Sequence, residues 1–159
     1  MPADLAIRNA RIIDGTGSPA FQGDVAVSGG RISSVGRSGA ATREIDAMGL
    51  VLSPGFVDTH SHDDAAFIRY PGMEFKLAQG VTSEISGNCG FSAAPVHTDA
   101  AVRREMIELF SFIEDIPERP FIALLPWDWR TWSEYKASLQ RHVKLPVNFG
   151  AYVGHIAIR

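Results

Sequence analysis

Two short stretches carry side chains whose types and spacing could do chemistry. The first is Pro54-Gly55-Phe56-Val57-Asp58-Thr59-His60-Ser61-His62. Side chains alternate faces along a strand, so histidines two apart project to the same side. Two imidazoles at one strand end could then share a metal ion, which neutral ring nitrogen binds well. The same spacing also suits two exposed loop histidines, or one structural and one incidental. The second stretch is Ser86-Gly87-Asn88-Cys89-Gly90. Cys89 is a soft zinc ligand if its strand end faces the histidine pair. A lone cysteine is otherwise a small buried hydrophobe, or a nucleophile with His155 as its base. Its flanking glycines suit a loop where backbone approaches a ligand closely. They form no phosphate cradle, because neither glycine-rich phosphate-binding pattern is present.

Other candidates have simpler readings. Asp63 and Asp64 could orient an imidazole or bind a metal, but such a pair is more often a solvated loop or a helix cap. His97 and His142 sit in polar contexts and read as surface residues. Trp127, Trp129 and Trp132 could line a pocket, although aromatic residues so spaced are more often packing. Arg103-Arg104 beside Glu105 reads as a solvated helix face.

The elements that must position these residues have two textures. Residues 1–53 read as short strands joined by glycine turns, a small antiparallel β-sandwich portion. The strands are Leu5 to Ile13, Val25 to Val27, Arg31 to Val35, Arg43 to Asp46 and Leu50 to Leu52. Gly29-Gly30 suits the positive-φ positions of a tight hairpin. Residues 54–159 instead alternate strands with helices. Gly55 to His60 reads as a buried strand, and Pro71 to Gln79 as a short helix stopped by Gly80. Val81 to Ser86 is a second strand and Val147 to Val153 a third. Thr98 to Ile116 has helical periodicity, and Thr131-Trp132-Ser133-Glu134 opens another helix with a capping box. That helix should bury Trp132, Tyr135 and Leu139. Phe121 to Leu125 fits either element type.

The fold class expected is α/β, a parallel sheet with covering helices. A closed eight-unit (β/α) barrel takes about 250 residues, roughly 30 per unit, so residues 54–159 accommodate about the first three units. No terminal helix is expected after the third strand. The reading is of a barrel begun and not closed, the first part of a larger protein.

Composition bounds the partners. The 159 residues carry 15 Lys+Arg against 18 Asp+Glu, a formal net charge of −3. No basic surplus marks a nucleic-acid or anionic-membrane surface. No apolar run reaches the ~20 residues of a membrane span, and the N-terminus lacks a signal-peptide layout. One cysteine precludes an internal disulfide and suits a reducing compartment, so a cytoplasmic location is expected.

The β-rich start with Ile12-Ile13-Asp14-Gly15-Thr16-Gly17, followed by the stretch from Pro54 to His62, resembles the amidohydrolase superfamily of metal-dependent hydrolases. Gly87-Asn88-Cys89-Gly90, Trp132 to Tyr135, Asn148, and Val153-Gly154-His155 with Arg159 are similar to its D-aminoacylase (N-acyl-D-amino-acid deacylase) family. The resemblance implies a metal-bearing βα barrel with a β-sandwich built from both chain ends. It implies that His60 and His62 serve a weaker metal position and that Cys89 ligates a tightly bound Zn2+. Many superfamily members use a modified lysine or a carboxylate where Cys89 stands. The family's two further zinc histidines and its general-base aspartate come from later strands and have no counterpart here. His155 matches a position expected to support the substrate pocket, next to which Ile156 replaces a small residue.

The implied reaction hydrolyses the linear amide of an N-acyl-D-amino acid to a carboxylate and a D-amino acid, on metal-activated water. The substrate is a small molecule, no catalytic residue lies within these 159, and the chain alone should be inactive without the rest of the barrel. The competing readings are a cyclic-amide hydrolase of dihydroorotase or hydantoinase type, against which Cys89 speaks, and a non-catalytic metal-binding module.

Overall fold

The computed structural model describes residues 1–159, Leu124 by its backbone alone. The chain divides into two compact units, Met1–Pro54 and Gly55–Arg159.

The first unit is one five-stranded sheet. Strands β1 (Ala3–Ile12), β2 (Phe21–Ser28), β3 (Arg31–Gly36), β4 (Ala41–Asp46) and β5 (Val51–Leu52) take the order β3-β2-β1-β4, with β5 also on β1. The β2–β3 hairpin turns at Gly29 and Gly30, with φ of 58° and 73°, as the glycine pair requires. Ala10, Ile12, Val25 and Ala47 form the buried cluster.

The expectation of a wholly antiparallel region is corrected. β1 runs antiparallel to β2 but parallel to both β4 and β5. Ala47-Met48-Gly49 does not reverse the chain into a hairpin. It bends it so that two short strands lie successively along the same neighbour, Ala3–Arg8 pairing with β4 and Arg11–Ile12 with β5. The bend sits opposite an irregularity in β1, where Asn9 takes a left-handed φ of 57°. Ala47 N donates to Arg8 O and Gly49 N to Asn9 O across it. Pairing partners are non-local, so strand spacing alone does not reveal this direction.

The second unit holds a three-stranded parallel sheet of β6 (Phe56–Asp58), β7 (Val81–Ser86) and β8 (Asn148–Ala151), in the order β6-β7-β8. Short helices α1 (Ala66–Arg69) and α2 (Glu74–Leu77) connect the first two strands. A 3-10 turn (Asn88–Gly90) and helices α3 (Ala100–Ile113), α4 (Glu118–Leu124) and α5 (Trp132–His142) connect the last two. Asp99 caps α3, its carboxylate accepting from the Ala101 and Val102 amides. The expected capping box forms at α5: Thr131 accepts from Glu134 N, and Glu134 accepts from Thr131 N. The run at Phe121 resolves as helix α4.

Two expectations change in this unit. β6 ends at Asp58, short of His60, and Phe56 and Val57 are 62% and 56% exposed rather than buried. An apolar run shows that a strand could be covered, not that this chain covers it, and here β6 is an edge strand. A one-turn helix α6 (His155–Ile158) also follows β8 where none is expected; four residues are too few to display a period.

The main core gathers α3, α4, α5 and the loop after β7. Phe121 is fully buried and Phe110, Trp129 and Tyr135 nearly so. The Phe110 and Phe121 rings stack at 6.3 Å, and Trp129 lies 5.5 Å from Trp127 and 5.0 Å from Tyr135. Trp129 Nε1 donates to Ala93 O at 2.7 Å, which gives a buried indole the partner it needs. The tryptophans are packing residues, as their spacing suggests. A second cluster of Phe67, Met73 and Val147 lies near the sheet, with Phe67 against Phe149 at 4.2 Å. No helix among the described residues is long and apolar enough to cross a membrane.

Candidate metal centre

His60 and His62 lie in the loop directly after β6, and Cys89 lies in the 3-10 turn after β7. Because β6 and β7 are adjacent and parallel, both segments leave the sheet at the same end. The structure brings the three side chains together, with one donor atom from each within 4.8 Å of the others. His60 Nε2 is 3.1 Å from Cys89 Sγ, and the two imidazoles are 5.6 Å apart, edge to face. The histidines converge through a folded loop rather than through strand alternation, since the strand has already ended.

Cys89 owes its place to backbone geometry. It takes a left-handed φ of 56°, which costs a non-glycine residue about 1–2 kcal/mol. Two glycines let the chain after β8 press against its loop. A Cβ on Gly87 would meet Tyr152 O at 2.2 Å, and one on Gly154 would meet Gly90 O at 2.5 Å. Tyr152 N donates to Ser86 O and Gly154 N to Ser92 Oγ across the same seam. Asn88 Nδ2 donates to Ile85 O at 2.9 Å and to Ser61 O at 3.4 Å, joining the cysteine turn to the histidine loop.

Behind the donors is a set of charges that the sequence reading misses. Lys76 of α2 is 12% exposed and places Nζ 2.7 Å from Asp58 Oδ2, 2.7 Å from Asp63 Oδ2 and 3.7 Å from Glu84 Oε2. Burial acts to lower the Lys76 pKa, but hydrogen bonds to Asp58 and Asp63 outweigh it and raise it above its ordinary range. The Lys76 hydrogen bond holds Asp58 below the usual carboxylate range, and a bond from His60 N adds to this. Glu84 is fully buried in β7 and pushed up to about 7 by loss of solvent. Ser61 Oγ donates to its Oε1. A signal is present: a carboxylate inside a sheet strand needs a cation or a proton once it is buried.

Asp63 and Asp64 are not a solvated pair. Asp63 binds Lys76, while Asp64 is 2% exposed and accepts from Ser86 Oγ at 3.1 Å. Burial raises Asp64 to about 6. His155 opens α6 as an exposed residue beside the 3-10 turn and is not one of the three grouped donors. The imidazole that the structure places against Cys89 is His60, with Nε2 3.1 Å from Sγ. His97 and His142 are exposed, as expected.

The donor set suits zinc. Tetrahedral Zn2+ with bond lengths near 2.0–2.1 Å to nitrogen and 2.3 Å to sulfur spaces its donors roughly 3.3–3.6 Å apart. The three donors lie within 4.8 Å of one another as they stand.

Residues 43–159 match the model of the amidohydrolase family. An N-acyl-D-glutamate deacylase of Alcaligenes xylosoxydans xylosoxydans is 48% identical over 94 residues, covering 58% of this chain and 19% of that protein. An N-acyl-D-aspartate deacylase of the same organism is 50% identical over 96 residues, covering 59% and 19%. Among solved structures, the Bordetella bronchiseptica N-acyl-D-glutamate deacylase, complexed with zinc and a phosphonate inhibitor, superposes with a TM-score of 0.75. It is 33% identical, with 98% of this chain and 30% of that chain covered. The chain thus spans less than a third of the length of these relatives. On the match over residues 43–159, this chain belongs to the amidohydrolase family.

Proposed function

We propose that these residues form the first part of a zinc-dependent amidohydrolase that hydrolyses N-acyl-D-amino acids to a carboxylate and a D-amino acid. The observation that carries the reading is the convergence of His60, His62 and Cys89 at the ends of two adjacent parallel strands. Deacylases of N-acyl-D-glutamate and N-acyl-D-aspartate among its relatives support the substrate class. A D-aminoacylase with a binuclear metal centre, of TM-score 0.77, supports a tightly held Zn2+ with room for a weaker second ion.

In this reading Cys89 holds the tight zinc and the histidine pair serves the second position. Zinc, when bound, lowers the pKa of a water ligand and polarises the amide carbonyl. The chain's own residues supply the donors and their rigid mounting. Lys76 and Asp58 fix the histidine loop, and the glycine seam fixes Cys89. His155, beside the cysteine turn, supports the substrate pocket. The remaining ligands and the general base belong to later strands of a barrel that β6, β7 and β8 begin, so the 159 residues alone are inactive. Residues 1–53 contribute to a β-sandwich, and the single cysteine suits a cytoplasmic setting.

The test assays the enzyme containing this segment against N-acyl-D-amino acids, their L-enantiomers, dihydroorotate and hydantoins, and follows zinc by metal analysis. Release of free D-amino acid is expected, with zinc content and activity both falling in Cys89→Ser, since a thiolate ligand is lost. Ring opening alone would make the protein a cyclic-amide hydrolase. A stable, zinc-loaded monomer of the 159 residues without turnover in the longer enzyme would make it a binding module.

A further inference from the structure

We infer that Lys76 is a positioning residue for the candidate metal centre, a single ammonium clamping together the two segments that carry its donors. The inference rests on the metal-centre reading and extends it to a residue that touches none of the donor atoms.

The clamp is visible in its connections. Asp58 ends β6, and while its Oδ2 binds Lys76 at 2.7 Å its Oδ1 accepts from His60 N at 3.1 Å. Asp63 binds the same ammonium at 2.7 Å and directly follows His62. The histidine loop is thus tied to one cation at both of its ends. Ser61, between the histidines, donates through Oγ to Glu84 and through N to Ile85 O. Glu84 faces Lys76 from β7, the strand that leads to Cys89. One side chain therefore registers the His60–His62 loop against the strand that delivers the thiol.

Stability alone is a poor explanation for this arrangement. Lys76 is nearly buried and gathers carboxylates from three separate places. Burying such charges costs desolvation that apolar residues of similar volume avoid, while here they fix the loop against β7 in one arrangement. Glu84 Oε2 has no hydrogen-bond partner and sits 3.7 Å from Nζ. The clamp thus holds the site at an electrostatic cost. Partners behind metal ligands typically change metal affinity ~10–100-fold when removed.

The experiment measures zinc affinity by competition with a chromophoric chelator, and the cobalt-substituted absorption spectrum, whose thiolate charge-transfer band reports Cys89. The variants are Lys76→Met, Lys76→Arg and the double variant Lys76→Met/Asp63→Asn, which removes one of the three carboxylates together with the cation and so lessens the stranded negative charge. Thr131→Ala, at the α5 cap, controls for general loss of stability. Lys76→Met and the double variant should each weaken zinc ~10–100-fold and alter the cobalt spectrum. Lys76→Arg should recover most of the affinity, and Thr131→Ala should keep both readouts. Wild-type affinity and spectrum in either Lys76→Met protein would overturn the inference, as would an equal loss in Thr131→Ala. Absence of zinc binding by the wild-type protein would instead overturn the metal-centre reading beneath it.

Discussion

Replacing Glu114 by Gln should remove a specific alkaline weakness from the fold. Glu114 follows α3 as its C-terminal cap, and its Oε1 accepts from Ala65 N at 3.2 Å. Burial raises its pKa from 4.5 to about 8 against the effect of that hydrogen bond, and the charges of Asp64, Asp63 and Glu84 push the same way. Between those two values the folded chain keeps a proton that the unfolded chain has released. The resulting stability is complete below about pH 4.5 and lost as pH rises through about 8. At about 1.4 kcal/mol per pH unit the ceiling is about 5 kcal/mol. Solvent reaches part of the side chain and screening reduces the expected loss to about 2 kcal/mol. Gln keeps an oxygen for Ala65 N and never ionises. Urea unfolding of zinc-free wild-type and Glu114→Gln proteins at pH 5, 6.5 and 8 isolates the effect, since Asp64 and Glu84 titrate in both. The variant should gain about 2 kcal/mol on wild type between pH 5 and pH 8. Stability curves that stay parallel across this range would show that Glu114 is already ionised in the fold, and the burial argument would be wrong.

Two further outcomes test the packing. Thr131→Ala deletes the side-chain half of the α5 capping box and should cost about 1 kcal/mol, with Thr131→Ser close to neutral; urea unfolding distinguishes the two. Phe121→Ala empties a fully buried position between Phe110 and Trp127 and should cost about 3–5 kcal/mol. Phe112→Ala, at an 83% exposed position on the neighbouring helix, should stay within about 0.5 kcal/mol; equal losses at the two sites would refute the assignment of the core.

What the sequence reveals and what it hides divides along the range of the interaction. The capping box at Thr131, the β7 boundaries and the Gly29-Gly30 turn are legible because each depends on neighbours a few residues away. The parallel pairing of β4 and β5 with β1 is not legible, because it is set where Ala47 N and Gly49 N meet Arg8 O and Asn9 O, almost forty positions away. The candidate site shows the same division. His60, His62 and Cys89 announce themselves by type, yet nothing local says that β6 stops at Asp58, or that the loop beyond it must fold to bring two rings within 5.6 Å.

That folding depends on Lys76, an unremarkable lysine in a four-residue helix, and on Glu84, an acid within a strand. The sequence does contain one pointer to them. Val81 to Ser86 reads as a sheet strand, and a carboxylate at its fourth position has to find a cation or hold a proton once it is buried. The preceding helix supplies the lysine at the distance the loop allows. Donor residues can be found by asking which side chains bind a metal. Their supports are found by asking which buried charges would otherwise stand alone.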